Sequence, residues 1–343
     1  MHYRNLGRAG LKVSEICLGT MTFGNGADQD GATKMVNAAL DAGVTHFDTA
    51  NSYVGGTSET MLGVALKGKR QDAVIGSKFF NPMGHRPNDS GMSRLHIKQQ
   101  IEGSLKRLQT DYIDIYYIHH VDHQTPLEEM LRALDDLVRE GKILYTACSN
   151  FEAWRLMEAL WISDTRGWER FACYQPQYSL VVRDIDEEIV PVLQLKGLGC
   201  VAWSPLGSGY LTGKYTPGSL TVQGSRSAEG WGFQSRFFAP NHGEILQALL
   251  DVSKGLGKPP AEVALRWVMD QPFMTSAIVG ARNAEQLGET LKAGGWRLPA
   301  DALETLNKVS AQPNRYPRSF EDPMPERRNS AVKMPGRERP AQG

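Results

Sequence analysis

Neither sign of charge prevails in this chain: 38 Lys and Arg stand against 38 Asp and Glu over 343 residues, for a formal net charge of zero. A neutral chain has no global field to gather nucleic acid or an anionic membrane surface, so neither is expected as a partner. Long hydrophobic runs are missing too. No stretch approaches the roughly 18 apolar residues of a membrane span, and the opening MHYRNLGRAG has no signal-like apolar core. Without such a signal, the sequon Asn88-Asp-Ser90 carries little meaning. Cysteine is scarce. Cys17, Cys148, Cys173 and Cys200 each sit within a short apolar segment and form no CxxC pair, which reads as buried, reduced thiols. A soluble cytoplasmic protein is the expectation. The oligomeric state is left open.

Hydrophobic patterning supplies the architecture. Tyr3–Leu6 and Leu11–Val13, joined through Gly7–Gly10, read as a β-hairpin. Strand-like runs follow at 16–19, 44–47, 73–77, 113–118, 143–148, 172–174, 199–203 and 276–279. Helical patterns separate them at 30–42, 58–66, 93–108, 126–140, 152–165, 185–196, and 244–255 with 260–269. Ser93 is placed to cap a helix, Pro126 to open one, and Gly141 and Gly197 to end two. Eight β/α alternations imply parallel pairing, and in one continuous chain they favour a closed (β/α)8 TIM barrel, of class α/β. No GxGxxG follows the first strand, which argues against a doubly wound dinucleotide fold. The expected organisation is a single barrel over residues 1–314 and a Pro/Arg-rich tail over 315–343 that wraps or is disordered. Two long loops, 80–92 and 204–240, interrupt the pattern, and the aromatics of the second favour a functional role.

In such a barrel the active site lies where the strands end. That rule selects Thr20, Asp48, Lys78, His119, Ser149, Asn150, Gln175, Trp203, Ser204 and the stretch Gly280–Arg282. Asp48 closes the apolar run Val44–Phe47 and needs a cationic partner if buried. Lys78 is the lysine that closes another strand. His119, His120, Asp122 and His123 suggest a metal cluster, but adjacent residues of an extended chain point apart, and no metal is expected.

Six motifs give a more specific reading: FDTANSY (47–53), GSKF (76–79), YYIHHVD (116–122), SNF (149–151), WSPLGSGYLTGKY (203–215) and VGARNAEQLGET (279–290). With them the chain resembles the aldo-keto reductases, in particular the branch of bacterial reductases and potassium-channel β subunits. The resemblance implies a barrel that binds NADPH and reduces aldehydes or ketones. It assigns catalysis to Asp48, Tyr53, Lys78 and His119, with Tyr53 as the proton donor. Physical chemistry agrees, because tyrosine is a poor acid near neutrality unless a cation stabilises its phenolate. The resemblance places Ser149, Asn150 and Gln175 on the nicotinamide carboxamide and stacks Trp203 on the ring. Ser204, Leu206, Ser208 and Lys214 wrap the pyrophosphate, and Gly280, Arg282, Gln286 and Glu289 meet the adenosine end. The guanidinium of Arg282 suits a 2′-phosphate.

Thr20, Met21 and Arg236 join the cofactor set. Thr290 stands where related proteins commonly carry Asn, which puts one adenine contact in doubt. Met21, Phe23, Phe79, His120 and loop aromatics such as Trp231 are expected around a small carbonyl substrate. Two other readings remain: an NADPH-sensing regulatory subunit, and a Schiff-base aldolase using Lys78. The second is disfavoured because an acidic partner keeps the lysine charged.

Overall fold

Short runs of β-branched and aromatic residues, each bounded by a helix, form the eight parallel strands of a closed barrel. The computed structural model describes residues 1–217, 219, 220, 238–322 and 324. A two-stranded antiparallel hairpin, β1 (Tyr3–Asn5) and β2 (Lys12–Ser14), comes first. The barrel strands are β3 (Ile16–Gly19), β4 (His46–Asp48), β5 (Val74–Phe79), β6 (Ile113–Ile118), β7 (Ile143–Ser149), β8 (Phe171–Gln175), β9 (Gly199–Ala202) and β10 (Ser276–Val279). They pair in chain order, and β10 closes the ring between β9 and β3.

The helices around it are α1 (Gln29–Asp41), α2 (Thr57–Ala65), α3 (Arg94–Leu108), α4 (Leu127–Arg139), α5 (Ala153–Arg166), α6 (Ile189–Lys196), α7 (His242–Leu256) and α8 (Pro260–Met269). Two more, α9 (Ala284–Leu291) and α10 (Ala300–Ser310), are absent from the periodicity reading. Helix α9 is only eight residues long, and its stripe of Ala284, Leu287 and Leu291, of which only Leu287 is fully buried, is too short to stand out; its other mark is Asn283, whose side chain accepts from the Gln286 amide. The expected stop and start signals act as anticipated elsewhere. Ser93 accepts from the His96 amide to cap α3, while Gly141 and Gly197 take positive φ just past α4 and α6.

The hydrophobic residues divide into an outer and an inner cluster. The outer one fills the layer between the strands and the helices, from Ile16 on β3 to Leu306 on α10. The inner one lies within the barrel: Leu6 and Val13 of the hairpin meet Ile115, Tyr117, Ala147, Cys173 and Val201 from four barrel strands. The hairpin therefore plugs the floor of the barrel. Its turn is pressed onto the start of β9, where the Arg8 amide donates to the Gly197 carbonyl at 2.8 Å. At Gly7, with φ of 59°, a Cβ would lie 2.4 Å from the Gly199 nitrogen, so only glycine fits.

A buried ionic cluster ties this floor to the helical layer. Glu15 accepts from Arg266 Nη1 at 2.9 Å, from Arg4 Nη2 at 3.3 Å and from the Gly295 amide at 2.8 Å. Arg266 also pairs with Asp270 at 3.1 Å. The compact barrel unit spans Met1–Ser310. In the following unit, the short helix Arg318–Glu321 is described; most of the expected 315–343 tail lies outside the described residues. Among the described residues no helix is long and apolar enough to cross a membrane.

Arg266→Met should cost about 3–5 kcal/mol, because the Glu15 and Asp270 carboxylates stay buried after losing their shared cation. Urea unfolding of the two proteins measures the difference.

Candidate active site

The polar centre follows from strand register. Asp48 on β4 lies opposite Gly76 on β5, so Lys78, two residues on, projects from the same inner face. The strand runs on to Phe79, placing Lys78 within β5 rather than just after it. Asp48 and Lys78 are almost completely buried, at 2% and 1% exposure. The Lys78 ammonium is held on three sides: it donates to Asp48 Oδ1, to the Thr49 carbonyl at 2.8 Å and to the Tyr53 hydroxyl at 3.2 Å. Gln175 Nε2 donates to the other Asp48 oxygen at 2.8 Å. Behind them the hydroxyls of Thr20, Thr49 and Ser58 bond one another and brace the backbone, with Thr20 Oγ1 donating to the Asp48 carbonyl at 3.1 Å.

His119 completes the group. Its ring meets Tyr53 edge-on at 5.8 Å. The rings of His119 and His120 do not diverge as expected; they stack at 4.5 Å and 15°. Strand β6 ends at Ile118, so the alternation rule does not reach them. Asn81, which the sequence reading overlooked, donates to Ser52 Oγ at 3.1 Å and lies 3.5 Å from His119 Nδ1.

Burial governs the electrostatics. It disfavours the charged form of Lys78, but the Asp48 carboxylate and the Tyr53 hydroxyl more than offset this and raise the lysine above its ordinary pKa. Tyr53 differs from expectation. Its phenol lies above the ordinary value, because burial and the Asp48 charge outweigh the opposing pull of Lys78. Burial and the Lys78 charge press His119 well below the usual imidazole range and lower His120 too, so both rings are neutral at pH 7. Within the barrel, the fully buried His46 lies 3.3 Å from Ser276 Oγ through Nδ1, and burial lowers it to about 3.

A cavity of about 660 Å³ opens over this centre, a volume usual for a small-molecule or cofactor site. Asp48, Tyr53, His119, His120, Ser149, Asn150 and Gln175 line it at one end of the constellation. Met21, Trp203, Ser204, Leu206, Ser208, Lys214, Gly280, Arg282 and Gln286 line it as well. Trp203 Nε1 donates to Asn150 Oδ1 at 3.2 Å, and Asn150 Nδ2 donates to the His119 carbonyl at 3.1 Å. Non-glycine residues with positive φ gather at this wall: Asn150, Ser204 and Ser208, at 62°, 54° and 54°. Thr290 lines the cavity too. Thr22, Pro205, Gly209 and Thr212 also line it; the last three lie inside the 203–215 motif, and Thr22 follows the expected Thr20 and Met21, so all were within reach of the sequence.

Four expected lining residues are elsewhere. Thr20 and Phe23 are fully buried, Phe23 in the outer core. Phe79 faces away from Lys78 along β5 and stacks on Tyr116 at 4.9 Å, so it too belongs to the layer behind the barrel. The neighbouring Phe80 lies edge-on to His120 at 5.4 Å, though it is not itself part of the cavity lining. Glu289 is exposed and pairs with Lys292 at 2.8 Å. Arg236 and Trp231 lie outside the described residues. Among the described residues, no group of three or more His, Cys, Asp or Glu is arranged to hold a metal.

The arrangement suits a nicotinamide dinucleotide by its donor set. Lys214 and Arg282 supply cations distant in sequence from the Asp48–Lys78–Tyr53 group, and at Gly280 a Cβ would meet nothing closer than 3.9 Å, leaving room for a ligand.

Comparison with known proteins agrees with this chemistry. A model described as the aldo/keto reductase family matches residues 15–311. The chain is 38% identical to a Bacillus subtilis protein named uncharacterized oxidoreductase YrpG, over 91% of this chain and 97% of that protein. It is 35% identical to a probable voltage-gated potassium channel subunit beta of Oryza sativa subsp. japonica, over 94% and 99%. It is 29% identical to norsolorinic acid reductase of Aspergillus flavus, over 91% and 81%.

The depressed pKa of His46 sets a pH window. Its contribution to stability is complete above about 6.5, the ordinary histidine value, and is lost as pH falls from there toward about 3. His46→Gln should therefore flatten the acid limb by one proton, about 1.4 kcal/mol per pH unit. Urea midpoints measured from pH 7 to pH 4 give the slope.

Proposed function

The chain belongs to the aldo/keto reductase family, and from that premise we propose that it reduces aldehydes or ketones to alcohols with NADPH. It is an oxidoreductase of a nicotinamide-dependent family; the choice of NADPH and of a carbonyl substrate is the proposal. One observation carries it: the buried Lys78 ammonium bonds Asp48 and the hydroxyl of Tyr53 together, and Tyr53 lines the cavity.

NADPH, when bound, supplies hydride to the carbonyl carbon. Every other task falls to this chain's residues. As alkoxide character grows on the carbonyl oxygen, Tyr53 transfers its proton to it. The raised pKa keeps that proton on Tyr53 throughout the neutral range. Lys78, already donating to the same oxygen, stabilises the phenolate that forms. Asp48 holds the ammonium in place and charged. Neutral His119, beside Tyr53, orients the carbonyl oxygen. Ser149, Asn150 and Gln175 hold the carboxamide, Trp203 supports the ring, and the 204–214 segment takes the pyrophosphate. Arg282 and Gln286 hold the adenosine end, with the guanidinium favouring a 2′-phosphate.

The substrate side, with Met21, His120 and nearby Phe80, suits small apolar or aromatic carbonyl compounds. Four buried cysteines without disulfides suit a reducing compartment, and the cytoplasm is the proposed setting.

NADPH oxidation followed at 340 nm with a panel of aldehydes tests the reading. Wild type should turn over, and Tyr53→Phe should lose activity by about 10²–10⁴-fold while still quenching tryptophan fluorescence with NADPH. Binding without turnover across the panel would replace the enzyme by a cofactor-sensing subunit, in line with the channel-subunit names of some relatives. Arg282→Ala should weaken NADPH by about tenfold or more and leave NADH nearly unchanged, measured by the same quenching.

A further inference from the structure

Gln175 is placed in an unexpected way. It ends β8, and β8 lies directly across the barrel from β4: β5, β6 and β7 separate them on one side, and β3, β10 and β9 on the other. Strand pairing does not bring Gln175 to Asp48. Its side chain nevertheless spans the barrel mouth and donates to Asp48 Oδ2 at 2.8 Å, with both residues 2% exposed. The backbone beneath it is fixed, since Ser149 Oγ, its register partner on β7, donates to the Gln175 carbonyl at 2.7 Å.

Asp48 therefore divides its two oxygens between Lys78 and Gln175. We propose that Gln175 is a positioning residue for the proton donor: by holding the second oxygen of Asp48, its amide limits how much of the Lys78 charge that carboxylate neutralises and leaves more of it for the Tyr53 hydroxyl. The inference rests on the carbonyl-reductase reading and adds to it a role for Gln175 apart from touching the cofactor.

The surrounding groups fix the sign. Tyr53 faces Lys78 from β5, Asp48 from β4, Cys17 from β3 and His119 after β6. Lys78 in turn acts on His46, His119 and His120, and Asp48 on Cys17, Cys173 and Tyr117. Of these, Lys78 stabilises the phenolate and Asp48 opposes it. Removing the Gln175 amide leaves the carboxylate more fully negative, so the phenolate becomes less stable and Tyr53 a weaker acid.

Alcohol oxidation reads this directly, because it needs Tyr53 deprotonated and its rate rises with pH below the phenol's pKa. In NADP+-saturated enzyme between pH 8 and pH 10, Gln175→Leu should lower kcat about tenfold at each pH, equivalent to about one pH unit. Gln175→Glu puts a second carboxyl beside Asp48, where the two share a proton. It should lose less than Gln175→Leu at the acid end, with that proton in the donor's place, and more than Gln175→Leu as the pair ionises. An unmoved pH line with weaker cofactor binding would reduce Gln175 to a cofactor contact and overturn the proposal. If Gln175→Leu fails to fold, a gap between Gln175→Glu and wild type that widens as pH rises decides alone. If wild type turns over no substrate, the reductase reading fails separately. NMR titration of ring-labelled tyrosine, assigned with Tyr53→Phe, then decides whether Gln175→Glu raises the phenol's pKa.

Discussion

Taking a lysine ammonium out of water is tolerable only if every one of its hydrogens finds an acceptor, and Lys78 meets that condition with Asp48, the Thr49 carbonyl and the Tyr53 hydroxyl. The three acceptors come from β4 and the turn after it, while the lysine comes from β5. A one-residue slip between the strands would turn Lys78 outward into the helical layer. Gln175 extends the demand to the far side of the ring. Much of the barrel is thereby committed to one register, and the two hydrophobic clusters supply the energy that holds it.

The same centre creates an asymmetry along the cavity. Where proton transfer is proposed, the cation is masked by a carboxylate and the histidines are neutral. Lys214 and Arg282 occur in the other lining segments, beside turns of positive φ at Ser204, Gly207, Ser208 and Gly209. In the proposed reaction, those segments draw the anionic groups of the cofactor while the centre tolerates an uncharged carbonyl, so one cavity would sort the two partners by charge.

Most of this was legible in the sequence where side-chain type and period carry the information. The eight strands, the pairing of Asp48 with a cation and the polar strand ends all follow from local pattern. What escaped reading depends on parity and on long-range contact. Phe79 was expected at the substrate, yet it adjoins Lys78 on the strand, and adjacency there means opposite faces. Phe80 meets His120 instead because the strand has ended and the backbone turns, with φ of 149°. His119 and His120 stack for the same reason. The Gln175–Asp48 bond joins residues 127 apart in sequence, which no local pattern reports. Helix α9 was missed because two turns carrying three apolar residues are too short a period to stand out.

The plugged floor bears on the timing of proton supply. Beneath the Lys78 group the barrel is filled by apolar Leu6, Val13, Ile115, Ala147 and Val201 and by Tyr117 and Cys173, which bond each other and which burial keeps protonated. In the proposed reaction, the proton spent by Tyr53 has to be replaced from the mouth, the side that cofactor and substrate cover. With both in place, Tyr53 is cut off from solvent at the mouth, and among the described residues only the Lys78 ammonium is hydrogen-bonded to it. Recharging the tyrosine is then tied to departure of the alcohol, so the proton cycle and the ligand cycle advance as one.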